Sequence, residues 1–279
     1  MKWKPFMTPV ENLDPKEARA YLRDHAEGDY TLLDVRQPGE YAKQHLPGAM
    51  LLPLPDLSDR IDELAPKKPV LAYCAVGGRS RAAAQYLSEN GFAAVYSLKG
   101  GIKAWDGLKA TGPEDEGMAW FRGDETVPEM LSLAYAMENG LADFYRSLAG
   151  HLDEADVLDL LERLASIEEL HRERLWTLYQ SHDSRGRDRE AFESVLLADV
   201  MEGGFTTEEL LSLYESELST LEGTLSMAMM LEAQALDLYS RYAHKSEDET
   251  TRDVLLQIAN EEKGHLEALG RLLDERASS

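Results

Sequence analysis

Basic side chains are scarce in this chain, cysteine is almost missing, and no long apolar run interrupts it. Lys and Arg number 29 against 52 Asp and Glu, a formal net charge of −23. That balance excludes nucleic acid and anionic membrane surfaces as partners, because both repel an acidic protein. The single cysteine, Cys74, excludes an internal disulfide and any CxxC metal knuckle. No stretch of about 18 apolar residues occurs, so no helical membrane span is expected. Residues 1–6 carry two lysines with no apolar stretch behind them, unlike a signal peptide. The expectation is a soluble, cytoplasmic protein.

What is present falls into two halves. Over residues 1–110, short apolar runs alternate with helical patterns. The runs are Leu32-Leu33-Asp34-Val35, Val70-Leu71-Ala72-Tyr73 and Ala94-Val95-Tyr96-Ser97-Leu98; the helical patterns cover 14–24 and 79–90, the second ending at Gly91. Strand–helix alternation predicts an α/β domain with a parallel sheet. Residues 111–125, with Gly-Pro-Glu-Asp-Glu-Gly at 112–117, read as an acidic linker. Beyond it, 126–279 holds four long helical segments at about 126–150, 154–182, 217–245 and 247–275. A crossover at 184–216 separates the second from the third, and Thr206-Thr207-Glu208-Glu209-Leu210 in it resembles a capped helix start. Two hairpins joined by one long crossover predict an all-α four-helix bundle of ferritin-like topology.

Each apolar seam of the four segments is broken near its middle by a glutamate, and two of them carry Glu-x-x-His. Glu138, Glu168 and His171 become Glu232, Glu262 and His265 on adding 94, as Ala134 becomes Ala228 and Tyr145 becomes Tyr239. The bundle is therefore two copies of one hairpin. A charge on a seam is expensive to bury unless it is paired or bound to metal. Residues i and i+3 share a helix face, so each Glu–His pair can grip one ion while the lone glutamates bridge or cap. Four carboxylates balance two divalent cations, and oxygen-rich ligands with one nitrogen per metal suit iron or manganese. Tyr145 and Tyr239, seven residues after Glu138 and Glu232, either hydrogen-bond the ligands or fill the core.

These motifs make residues 126–279 resemble the rubrerythrin/ferritin-like di-iron family. The resemblance implies the ligand set Glu138, Glu168, His171, Glu232, Glu262 and His265, with two irons per chain and manganese as the alternative. Two features depart from it. The family has a further carboxylate three residues after the third-helix glutamate, where this chain has Ala235, and it usually carries a cysteine-ligated rubredoxin module, which one cysteine cannot build.

Cys74 ends a predicted strand and precedes Ala75-Val76-Gly77-Gly78-Arg79-Ser80, which opens a helix. Loop amides, the positive end of the helix dipole and Arg79 would all lower the thiol pKa, and the glycines let the amides point inward as an anion nest. A phosphatase Cys-x5-Arg loop is excluded, since four residues separate Cys74 from Arg79. Leu33-Asp34-Val35-Arg36 with Glu40-Tyr41, His45-Leu46-Pro47-Gly48-Ala49, Cys74-x-x-Gly77-x-Arg79-Ser80 and Leu98-Lys99-Gly100-Gly101-Ile102-Lys103-Ala104-Trp105 resemble the single-domain rhodanese superfamily. The resemblance implies a sulfurtransferase in which Cys74 carries sulfane sulfur as a persulfide. Ala75 to Ser80 would cradle it, and Asp34, Arg36, Glu40 and His45 would support the site.

Two readings follow. In one, Cys74 moves sulfur from a small donor to a thiol or cyanide-like acceptor, coupled to oxidase or peroxidase-type redox chemistry at the di-iron site. In the other, the N-terminal domain only binds or senses sulfur, and the bundle is an independent peroxide scavenger or iron-handling protein. An external electron donor and a homodimer are expected partners in either.

Overall fold

The computed structural model describes residues 10–115, 125–150, 152, 154–194, 196 and 220–277. The expected capped helix start at 206–210 and most of the linker lie outside the described residues. The chain divides into two compact units, Met1–Asp115 with Tyr239–His244, and Glu116–Leu238 with Lys245–Ser279.

The first unit is α/β. Its strands are β1 (Glu11–Leu13), β2 (Thr31–Asp34), β3 (Met50–Leu51), β4 (Val70–Tyr73) and β5 (Val95–Leu98). They form one sheet in the order β1-β5-β4-β2-β3 with every pairing parallel. Register places Leu33 beside Ala72 and Leu71 beside Tyr96. β2 and β4 are buried along their whole length, as central strands covered on both faces must be. Helix α1 (Pro15–Asp24) starts in a capping box between Asp14 and Glu17. A short α2 (Pro38–Tyr41) carries Glu40. Helix α3 (Gly78–Glu89) follows β4 and ends before Gly91, whose φ of 90° is the left-handed stop expected from the sequence.

The second unit is helical. Among the described residues its long helices are α4 (Val127–Ala149), α5 (Ala155–His182), α7 (Leu221–Lys245, whose residues Tyr239–His244 group with the first unit) and α8 (Glu249–Ala277), with a short α6 (Arg189–Glu193) after α5. They agree with the expected segments to within a few residues. Leu141, Leu148, Leu161, Leu164, Leu225, Ala228 and Leu231 from three of them fill one apolar cluster. Each such leucine contributes roughly 1.5–3 kcal/mol by leaving water. Against that background, Glu138, Glu168, Glu232 and Glu262 are each at most 1% exposed. A buried, uncompensated carboxylate costs several kcal/mol, and four of them would exceed the roughly 5–15 kcal/mol by which a domain is stable. The bundle needs positive charge at its centre.

Candidate functional site: a buried thiol loop and a paired carboxylate–histidine centre

In the first unit the site forms at the carboxyl end of β4, where parallel sheets place their ligand crevices. The chain leaves β4 at Cys74 and turns into α3 through Gly77, whose φ of 95° is the left-handed region that favours glycine. The Gly77 N–H donates to Cys74 Sγ at 3.1 Å. Burial pushes the Cys74 thiol up, but the Ser80 amide and hydroxyl and the amides of Val76 and Gly77 outweigh it and hold the thiol below its ordinary value. Ser80 Oγ is fixed by Ser97 Oγ at 2.9 Å, a partner on β5 that no sequence motif signals. Cys74 has no exposed surface, whereas Val76 is 61% exposed.

The supporting residues form a relay of contacts. Asp34 and Arg36 are buried and paired, Arg36 Nε donating to Asp34 Oδ1 at 2.9 Å and a terminal nitrogen to Oδ2 at 2.6 Å. Arg36 also donates to the Gln44 carbonyl at 2.7 Å, and His45 stacks on Tyr41 at 3.6 Å. These contacts hold the segment bearing Glu40. Glu40 in turn accepts both terminal nitrogens of Arg79 at 2.7 Å, and that bond draws its carboxyl down to about 2. Arg79 is thus bound to a carboxylate rather than left facing the loop mouth. Its charge is neutralised locally, and the amides carry the anion-stabilising role.

Gly101 belongs to the site as well, although its motif in the sequence suggests no role for it. A Cβ there would lie 2.2 Å from the Cys74 carbonyl and 2.7 Å from Val76 N. The Ile102 N–H donates to the Cys74 carbonyl at 2.8 Å and the Lys103 N–H to that of Ala75 at 3.2 Å. The consecutive glycines 100 and 101 were the available signal, since close backbone approach requires them.

In the second unit all six expected residues converge. Glu138, Glu168 and His171 form one cluster and Glu232, Glu262 and His265 another, with candidate ligand atoms in each within 4.8 Å of one another. His171 Nδ1 lies 2.9 Å from Glu168 Oε2 and 3.3 Å from Glu138 Oε2. His265 Nδ1 lies 3.0 Å from Glu262 Oε2 and 3.4 Å from Glu232 Oε2. The 94-residue repeat is therefore a geometric repeat too, and each lone glutamate joins the Glu–His pair of its own hairpin. The two imidazoles stack at 3.7 Å and 5°, bringing the clusters together as one centre.

Both oxygens of Glu168 and Oε2 of Glu232 are buried without a hydrogen-bond partner, although each residue faces an imidazole. Burial pushes the Glu232 carboxyl up, but His265, Glu262 and the charge of His171 outweigh it and hold it low. Three buried carboxylate oxygens left without a hydrogen-bond partner beside two imidazoles fit a pair of oxygen-loving transition metals. Tyr145 and Tyr239 are fully buried; Tyr145 packs in the apolar cluster with Leu141 and Leu148. Ala235, where the family carries a further carboxylate, is buried. No described helix is long and apolar enough to cross a membrane.

Comparison with known proteins supports both units. The rhodanese-like domain family matches residues 15–108 and the rubrerythrin family residues 129–273. A sulfurtransferase of Allochromatium vinosum is 39% identical over 107 residues, 38% of this chain and 98% of that protein. An uncharacterised protein of Bacillus subtilis, YqhL, is 46% identical over 76 residues, 27% of this chain, which spans 60% of that relative's length. A solved rhodanese-related protein of Thermoplasma volcanium is 27% identical, covering 34% of this chain and 90% of that one with a TM-score of 0.31. With two buried carboxylate–histidine clusters behind one half and a cysteine loop behind the other, the chain belongs to the rhodanese-like family through its N-terminal part and to the rubrerythrin family through its C-terminal part.

Proposed function

We propose that this chain is a sulfurtransferase working through a persulfide on Cys74, coupled to a di-iron centre with oxidase or peroxidase-type chemistry. The observation that carries the sulfur half is the Cys74 loop, where amides and the Ser80 hydroxyl stabilise an anionic sulfur. The Cys74 thiolate attacks the sulfane sulfur of a donor such as glutathione persulfide or thiosulfate. The donor S–S bond breaks and its electron pair leaves with the donor as a thiolate or sulfite. The outer sulfur on Cys74, now bearing the negative charge, sits among the amides of Val76, Gly77 and Ser80. An acceptor thiolate or cyanide then takes that sulfur, and Cys74 returns as a thiolate.

In the second unit, Glu138, Glu168, His171, Glu232, Glu262 and His265 would hold two irons, with manganese the alternative. The bound metals would supply the reduction of oxygen or peroxide. The chain's own part is to offer four carboxylates and two imidazoles at the middle of the bundle, held by apolar residues on all four helices. Tyr145 and Tyr239 are assigned to orienting those ligands. A cytoplasmic homodimer drawing electrons from an external donor completes the reading.

The test is conversion of a sulfane donor plus cyanide to thiocyanate by purified protein and by Cys74→Ala. Equal inertness of both proteins towards thiosulfate and glutathione persulfide would remove the catalytic half. A second reading, a sulfur-sensing module joined to an independent peroxide scavenger, is favoured by the unexposed thiol and by Arg79 being held by Glu40. It requires peroxide to oxidise the reduced metal centre at the same rate in Cys74→Ala. Slower reoxidation in that variant, with a persulfide as sole reductant, supports coupling.

A further inference from the structure

The two hairpins of the bundle are copies, so corresponding positions that differ in chemistry single out what only one half does. Beside the Glu138–Glu168–His171 cluster, Arg174 on α5 reaches Glu261 on α8 at 3.4 Å. The 94-residue offset carries Arg174 to Ala268 and pairs Glu261 with Ile167. At that second place a short apolar residue faces another apolar residue, and no ion pair bridges the helices. A cleft of about 500 Å³ opens there instead, between α5 and α8. Leu160, Leu164, Ile167, Ala268, Leu269 and Leu272 wall it, and it reaches Glu232 and His265 at its inner end. The His265 side chain is 16% exposed, against 7% for its counterpart His171.

The cleft is far larger than oxygen or peroxide needs, since even a water molecule takes only about 30 Å³. From His265 to Leu272 it runs roughly 10 Å along α8, at 1.5 Å of rise per residue. Its walls are apolar, so they select a hydrocarbon body. Arg163 and Arg271 are its two cationic lining residues, and Glu232 of the inner cluster is its one acid among the described residues. Arg163 pairs with Asp159 at 3.0 Å, but its side chain is 63% exposed, so that pairing is weak and exchangeable. In a chain with 52 acidic residues, two arginines over an apolar cleft mark a place for a carboxylate.

We propose that this cleft binds a medium-chain carboxylate. The carboxylate sits at Arg163 and Arg271, and the hydrocarbon tail runs along Leu164, Ile167, Ala268 and Leu269 towards His265. The proposal rests on the reading of the six clustered residues as metal ligands only for what lies at the tail's end. Binding itself is a property of the cleft.

Calorimetry of the full chain, as isolated and after chelation, with acetate, hexanoate, decanoate and decanol tests it. Affinity should rise with chain length, and decanol should bind more weakly than decanoate. Arg163→Gln with Arg271→Gln should weaken decanoate about tenfold, with helix content and metal stoichiometry unchanged. Ile167→Glu with Ala268→Arg rebuilds the closing ion pair of the other half at solvent-accessible positions, and should abolish binding. Decanoate binding untouched by that double variant overturns the proposal, as does absence of binding in protein that holds its full metal complement. A dimer dissociated by the double variant, with no decanoate bound to the native chain, assigns the cleft to a second copy and also overturns it. Decanoate binding in a chain that takes up no metal supports the cleft while removing the di-metal reading.

Discussion

Replacing Gly101 by alanine tests whether the thiol site depends on a backbone contact that no side chain provides. Gly101 has φ of 60°, and an added Cβ would lie 2.2 Å from the Cys74 carbonyl oxygen and 2.7 Å from Ala75 C and Val76 N. All three are backbone atoms, so no flexible side chain can swing away, and the loop must move by more than about 1 Å to restore ordinary contact. The left-handed conformation costs alanine roughly 1–2 kcal/mol. Displacement also weakens the bonds from the Ile102 and Lys103 N–H groups to the Cys74 and Ala75 carbonyls, each worth about 1 kcal/mol. Gly101→Ala should therefore destabilise the first unit by about 3 kcal/mol. It should also disperse the amides that hold the thiol low, so Cys74 alkylation should require higher pH. The chain has one cysteine, and the rate of iodoacetamide labelling against pH reports that site alone. Gly91→Ala is the control: its φ is 90° but nothing lies within 4 Å of the added Cβ. It should cost only the roughly 1–2 kcal/mol of conformational strain and leave the labelling profile in place. An unchanged profile in Gly101→Ala would show that the glycine contact does not shape the loop.

The Glu40–Arg79 pair makes a pH-dependent contribution. With the Glu40 carboxyl at about 2 in the folded protein against 4.5 ordinarily, the contribution is complete above pH 4.5 and lost as pH falls towards 2. Glu40 is 37% exposed, so solvent screening reduces the nominal figure to about 1 kcal/mol; Glu40→Gln should show that loss in urea melts at neutral pH and none near pH 2. The same variant releases Arg79, and thiosulfate turnover should rise relative to glutathione persulfide. Iron at a hundredfold excess over its Kd should stabilise the bundle by about 2.7 kcal/mol, read as a rise in Tm that chelation reverses. Glu168→Gln should lower the metal content below two per chain by elemental analysis while helix content by circular dichroism stays the same.

Much of this was legible in the sequence because it follows from short-range regularities. The alternation of strands and helices up to residue 110 determined a parallel sheet, and Gly91 marked the end of a helix. The 94-residue offset linking Glu138, Glu168 and His171 to Glu232, Glu262 and His265 located the centre, since glutamate on an apolar seam is costly to bury unless a cation meets it. Side-chain partnerships across elements were not legible. Arg79 looked like a free cation beside Cys74, but Glu40, 39 residues earlier, takes both its terminal nitrogens. Nothing local announced that Ser97 would fix Ser80, and the paired glycines 100 and 101 signalled a close backbone approach without naming the Cys74 carbonyl as its partner. Nor does a repeat reveal where it is broken. Ile167 and Ala268 are ordinary residues on two helical stripes, and only packing those helices together shows that they leave open what Glu261 and Arg174 close. Periodicity and repetition reside in the chain itself, whereas which charges meet and which gaps remain depend on distances that exist only after folding.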